Sequence, residues 1–168
     1  SIGIKHTGTN RSQEEKDKIE ITDINGIKFV FLSYTYGTNG MKYRNDYNVN
    51  MLTEENIKTN IAKAKKLNPD FIVVMPHWGN EYERLPGPRQ RELAAAFHRW
   101  GADLVIGSHP HVVQPWQADS THVVLYSLGN LVSNQRRRYT DGGLVARIEA
   151  LRYPDGRRSY RLEPLPVW

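Results

Sequence analysis

The sequence predicts a mixed α/β fold in a single domain over residues 1–168, parallel strands first and an antiparallel tail after them. Two apolar runs, Phe71-Ile72-Val73-Val74-Met75 and Leu104-Val105-Ile106, bracket an amphipathic stretch from Pro88 to Trp100. Continuous apolar runs of strand length are the pattern of strands covered on both faces, and strand, helix, strand in this order makes a right-handed crossover with parallel strands. Later, Gly143 to Leu151 alternates, Tyr153-Pro154-Asp155-Gly156 turns, and Arg158 to Glu163 returns, which predicts an antiparallel pair. A chain of this size buries roughly 68–70% of its unfolded surface, enough for a core without cross-links.

In chain order, Ile4 to Asn10 reads as a loop and Arg11 to Lys18 as a charged segment with one or two helical turns. Ile19-Glu20-Ile21-Thr22-Asp23-Ile24 alternates apolar and polar, and Ile27 to Ser33 resumes as a strand after Asn25-Gly26. Asn-Gly between such runs predicts a hairpin, because a type I′ turn needs positive φ at both central residues. Tyr34 to Asn50, rich in Tyr, Asn and Gly, is either an ordered loop lining a site or a surface excursion with no ligand. Thr53 is placed to cap a helix whose first turn carries Glu54 and Glu55 and whose apolar stripe is Ile57, Ile61 and Ala64; Asn68-Pro69 ends it. In the helix from Pro88 to Trp100 the inner face is Leu93, Ala96, Phe97 and Trp100, and Gly101 stands where a left-handed C-terminal residue belongs. His122 to Ser127 is a further strand.

Composition narrows the chemistry. There is no cysteine, which removes disulfides, thiolate metal sites and cysteine nucleophiles. Lys and Arg number 23 against 18 Asp and Glu, a net +5 that suits an anionic partner or simply a solvated basic surface. No module for nucleic-acid recognition is present, and nucleic acid is not an expected partner. No apolar run reaches the ~18–20 residues of a membrane span. The opening Ser1-Ile2-Gly3-Ile4 reads as the interior of a longer protein, so any anchor or targeting signal is expected outside this chain.

Chemistry concentrates at Gly107-Ser108-His109-Pro110-His111, just past the carboxyl end of the second buried strand, where open α/β sheets place their ligand sites. Imidazole nitrogen binds Zn, Mn or Fe, and two histidines flanking a proline can approach the same ion. Parallel connectivity brings His77, at the end of the first buried strand, to the same edge of the sheet, making a candidate trio His77, His109 and His111. A two-metal hydrolase also needs a bridging carboxylate. Asp103 starts its strand at the far end and is rejected; Glu81 lies in the right loop and could ligate, act as a base or contact substrate. Trp78, Tyr82 and Trp100 are expected to pack, and His6, His98 and His122 to be structural or superficial. Asn130, after Gly129, is either a turn residue or a substrate contact.

Pro76-His77-Trp78-Gly79-Asn80-Glu81-Tyr82, then Pro88 and Gln90, then Gly101 through Val112, then Tyr126-Ser127-Leu128-Gly129-Asn130, resemble the signatures of the bacterial capsule-synthesis CapA family, which includes the PgsA-type proteins of poly-γ-glutamate synthesis. Order and spacing match across about residues 70 to 133, and Ile27 to Asn39 is similar to the family's preceding strand and loop. The resemblance implies a calcineurin-like metallophosphoesterase fold, a β-sandwich flanked by helices with metals at the strand ends. On that basis His77, His109 and His111 are the late ligands of divalent ions, Mn, Zn or Fe. The early ligands of that superfamily, an Asp-x-His motif, a second Asp and an Asn-His motif, have no counterpart in residues 1 to 69, where Asn10, Asp23, Asn39 and Asp46 stand outside any matching pattern.

The chain is therefore expected to be the C-terminal portion of such a domain, binding metal weakly and inactive alone. The complete protein is expected to be a component of capsule or exopolymer production, anchored at the membrane and extracytoplasmic, working with other capsule-synthesis membrane subunits. As a metal-dependent hydrolase it would act on an anionic polymer such as poly-γ-glutamate or on a phosphorylated intermediate, with Glu81 and Asn130 in catalytic positions and Arg136, Arg137 and Arg138 binding substrate. The alternative is a non-catalytic subunit that holds or exports the polymer.

Overall fold

The computed structural model describes residues 3–119 and 121–168. Its centre is a six-stranded sheet in the order β1 (Ile21–Ile24), β2 (Ile27–Thr35), β3 (Phe71–His77), β4 (Leu104–Ile106), β6 (Val123–Leu125) and β5 (Trp116–Ala118). The inner four strands are parallel, and the edge strands β1 and β5 pair antiparallel with their neighbours. The Asn25-Gly26 hairpin forms as expected, both residues at positive φ.

Alternation along the strands decides which layer each side chain joins. Val30, Leu32 and Tyr34 of β2, Ile72 and Val74 of β3, Val105 of β4 and Val124 of β6 face the helices α2 (Glu54–Lys66) and α3 (Pro88–Trp100), meeting Ile57, Ile61, Leu93, Ala94 and Phe97. Phe29, Phe31, Val73, Leu104, Val123 and Leu125 face the other way, onto the hairpin of β7 (Gly143–Arg152) and β8 (Arg158–Val167) through Leu144, Ala146, Ile148, Tyr160 and Leu162. The result is helices, sheet and a second, two-stranded sheet in three layers, the mixed α/β sandwich that the sequence implies. A short α1 (Gln13–Asp17) precedes it, capped by the Ser12 hydroxyl.

Element chemistry follows the sequence closely. Thr53 Oγ1 accepts from the Asn56 amide at 3.3 Å, and Asn68 leaves α2 through positive φ. Gly101 ends α3 at φ 115°, where its amide donates to the Phe97 and His98 carbonyls. Asp103 stays at the far end of β4: its carboxylate accepts from the Ile72 amide at 2.7 Å and pairs with Arg158, so its rejection as a ligand agrees with the fold. Two features escape the apolar pattern. β5 is exposed along its whole length and so carries no pattern. β8 runs past Glu163 through Pro164 and Pro166, which are tolerated because a two-stranded sheet consists only of edges.

His98 and His122 lie away from the carboxyl ends of the strands, their rings 4.4 Å apart, with His98 Nδ1 2.8 Å from the Ala102 carbonyl. Burial, above all, pushes the His98 imidazole below the ordinary histidine value; the Ala102 carbonyl pulls it back and His122 lowers it further. A depressed folded value means the unfolded chain takes up the proton first as pH falls. The stability is therefore complete above about pH 6.5 and declines as pH drops toward the folded value. Urea midpoints measured between pH 7 and pH 5 should fall, and His98→Gln should flatten that slope. An unchanged slope would remove His98 as its source.

Candidate functional site

Three strand ends build the site. β2 and β3 run in parallel register with Thr35 opposite His77, and beyond them His77 bridges to Ser108, so the chain leaving β4 lies directly beside the end of β3. The Trp78 amide donates to the Ser108 carbonyl and the Ser108 amide to the Pro76 carbonyl, both at 3.0 Å, which locks the two loops together. As a consequence the His77 and His109 rings stand 4.6 Å apart and the His109 and His111 rings 6.2 Å apart. The trio named from sequence is one cluster.

The backbone there is under strain. Seven non-glycine residues among those described have positive φ, and three are asparagines, the type that tolerates it best. The other four are Tyr82 (67°), His109 (105°), His111 (61°) and Tyr139 (70°). Such conformations cost on the order of 1–3 kcal/mol each and collect at functional sites. Their concentration here separates this cluster from the His98–His122 pair.

Hydrogen bonding fixes the chemistry of His111. Asn130 Nδ2 donates to the Thr140 carbonyl at 3.0 Å, an acceptor that cannot donate, so the Asn130 Oδ1 must face His111. The 2.9 Å contact between His111 Nδ1 and Asn130 Oδ1 is then an Nδ1–H donation, leaving the Nε2 lone pair open. Asn130 is thereby a positioning residue for His111, its amide engaged on both sides. His77 Nδ1 lies 3.2 Å from the Ser108 hydroxyl. Burial first, then His109 and His111, holds the His77 imidazole below the ordinary value. His109, only 9% exposed, is lowered mainly by burial and also by His111, with Glu81 pulling upward. Neutral imidazoles with available lone pairs are what a divalent ion requires.

That donor chemistry fits one side of a metal site. No group of three or more His, Asp or Glu side chains among the described residues stands so as to enclose an ion. Glu81 is exposed and reaches His109 only through its field. The arrangement can accept a proton or an ion at several imidazole nitrogens; it supplies no bridging carboxylate.

Of the other residues named from sequence, Arg137 lies over the Tyr82 ring at 4.1 Å and Arg138 over Tyr139 at 4.6 Å, while Arg136 is exposed to solvent. Trp78 packs as expected, between Phe97 and Tyr126. Tyr82 does more: it stacks on His111 with centroids 6.1 Å apart.

Sequence reasoning misses two parts of this site. Tyr36 stacks over His77 at 6.0 Å and leans on His109 at 4.6 Å, so the Tyr34–Asn50 loop does line the cluster. The signal available was its place one residue past the end of β2, beside His77, whose carbonyl accepts from the Tyr36 amide. The second part is a buried pair of amides. Gln90 accepts from the Gly87 amide and donates to Gln114 at 3.0 Å, and Gln114 donates to the Glu83 and Leu85 carbonyls. This network holds the loop carrying Glu81, Tyr82 and Arg84 against α3.

The sequence pattern of the bacterial capsule synthesis protein PGA_cap family matches residues 1–135. The chain is 38% identical over 135 residues to the PGA biosynthesis protein CapA of Bacillus subtilis, covering 79% of this chain and 35% of that protein. It is 32% identical over 148 residues to the capsule biosynthesis protein CapA of Bacillus anthracis, covering 84% and 36%. It thus spans about a third of the length of these relatives. Among solved structures, the sulfate thiohydrolase SoxB of Thermus thermophilus superposes with a TM-score of 0.54 at 15% identity, covering 88% of this chain and 24% of that one. This likeness speaks for the fold alone. With the strand-end histidines in the places that the matching pattern covers, the chain belongs to the bacterial capsule synthesis PGA_cap family.

Proposed function

We propose that this chain is the histidine-bearing portion of a capsule-synthesis protein that handles an anionic polymer, poly-γ-glutamate, or a phosphorylated intermediate outside the cytoplasm. The observation that carries the proposal is the convergence of His77, His109 and His111 on strand ends in strained backbone, with His111 Nε2 left open by its bond to Asn130. In the complete protein these three imidazoles contribute to a divalent metal site, Mn, Zn or Fe. When bound, such an ion polarises a phosphoryl or carbonyl oxygen and activates water. The chain's own residues orient the imidazoles through Ser108 and Asn130, cover them with Tyr36, and place Glu81 at the rim for proton transfer or substrate contact.

A second reading, a non-catalytic subunit that binds or exports the polymer with its partner membrane subunits, is favoured by the lack of an enclosing carboxylate among the described residues. Among those residues no helix is long and apolar enough to cross a membrane. The same comparison tests both readings. In the complete protein, His109→Ala should lower bound metal and polymer production by on the order of tenfold or more, since even loss of a ligand's supporting hydrogen bond costs that much. Normal production with metal lost would establish the second reading. For the isolated chain, calorimetry should show only weak metal uptake; tight stoichiometric binding of two ions would refute the half-site.

A further inference from the structure

Beside the histidines lies a group of cations that no carboxylate among the described residues pairs with. Arg84 sits 4.2 Å from the Tyr139 centroid and Arg138 lies over the same ring at 4.6 Å, while Arg137 caps Tyr82, which itself stacks on His111. Sharing one ring puts the Arg84 and Arg138 guanidinium carbons no more than about 9 Å apart, within a Debye length, where like charges repel. Neither these two nor Arg137 has a side-chain hydrogen bond or ion pair with any described residue. Glu83, the nearest acid in sequence to Arg84, accepts from Asn80 instead.

A guanidinium whose carbon lies over an aromatic ring and whose N–H groups have no partner among the described residues can offer those donors to a carboxylate or phosphate. The platforms are deliberate in the backbone sense: Tyr82 and Tyr139 are the two tyrosines at positive φ. Their loops are held in place, one by the Gln90–Gln114 pair and the other by Thr140, whose amide and hydroxyl both donate to the Arg137 carbonyl. We propose that Arg84, Arg137 and Arg138, carried on Tyr82 and Tyr139, form a subsite for a chain of repeated anionic groups, leading it to His111. This rests on the reading that the protein handles an anionic polymer, and it adds Arg84 and the two tyrosines to the arginines read from sequence. Three forks on two platforms suit successive carboxylates or phosphates better than one isolated anion.

Fluorescence anisotropy of a labelled γ-linked glutamate oligomer with this chain, in low salt with chelator present, tests it. Arg84→Gln and Arg137→Gln should each weaken binding about tenfold, the size expected for losing a charge-assisted contact. Arg99→Gln, on the last turn of α3, removes the same charge elsewhere and should change it less than about twofold. Tyr139→Leu removes no charge yet should weaken binding about fivefold, with Tyr139→Phe retaining it. Polyphosphate as a second probe separates the sources: stronger binding with the same residue dependence assigns the subsite to phosphate groups. Absence of binding, equal losses in all three arginine variants, or no effect of Tyr139→Leu overturns the subsite. The chelator keeps the metal reading apart. Selective binding alongside normal polymer production in His109→Ala sinks the metal reading alone, and non-selective binding alongside lost production sinks this inference alone.

Discussion

Trp78→Ala should cost about 4–5 kcal/mol and bring the chain near its limit of stability, as measured by urea unfolding. The indole is 1% exposed and lies between Phe97 and Tyr126, with centroids 5.8 and 6.1 Å away. Emptying such a position forfeits the transfer energy of the ring and leaves a cavity, typically about 3–5 kcal/mol for a buried aromatic residue. The indole also donates to the Tyr126 carbonyl at 2.9 Å, and a buried acceptor left without its donor adds roughly 1–3 kcal/mol. Trp78→Phe separates the two: it keeps the stack and loses the donor, so its cost should be the smaller part. A Trp78→Ala protein that unfolds within about 1 kcal/mol of the original would mean that this junction is not the anchor of the site. Because Trp78 follows His77 directly, the same variant should loosen the His77–His109 approach.

Gly107→Ala should cost about 3 kcal/mol, a lowering of the melting temperature by roughly 6–12 °C for a chain of this size. A β-carbon there would stand 2.2 Å from the Tyr126 carbonyl oxygen and 2.4 Å from Trp78 Nε1. Neither can retreat cheaply. The Tyr126 oxygen belongs to backbone continuing from β6, the indole is buried, and the Gly107 amide is tied to the Leu125 carbonyl at 2.6 Å. Gly37→Ala is the matched control, since its β-carbon meets nothing within 4 Å and its φ is not left-handed; it should lie within about 0.5 kcal/mol of the original. Equal melting temperatures for the two variants would contradict the close approach. Combined with Trp78→Phe, the cost of Gly107→Ala should fall short of additivity, because the two positions share the Tyr126 carbonyl.

Every helix and nearly every strand here is legible from local pattern. Ile57, Ile61 and Ala64 fall on one helical stripe, Thr53 and Gly101 mark ends, and Asn25-Gly26 marks a hairpin, because each of these depends on nearest neighbours and backbone sterics. The histidine trio is legible too, since parallel strands carry their carboxyl ends to one edge whatever the side chains between them. β5 is invisible because an exposed edge strand has no buried face to write into the sequence.

What only the tertiary structure decides is everything that depends on loops meeting. Tyr36 covers His77 because β2 and β3 end in register; Arg84 reaches Tyr139, fifty-five positions away, because Gln90 and Gln114 hold the intervening loop. Asn130, equally readable as a turn or a substrate contact in sequence, becomes the residue that sets the His111 tautomer once Thr140 is seen to occupy its amide nitrogen. Sequence alone determined the helices, every strand but β5, the parallel pairing of β3 with β4 and the three imidazoles at one edge, for these follow from short-range pattern and chain connectivity. The strained backbone, the open His111 nitrogen and the arginines that no carboxylate among the described residues pairs with were decided by packing, because each depends on which distant group occupies the space beside it.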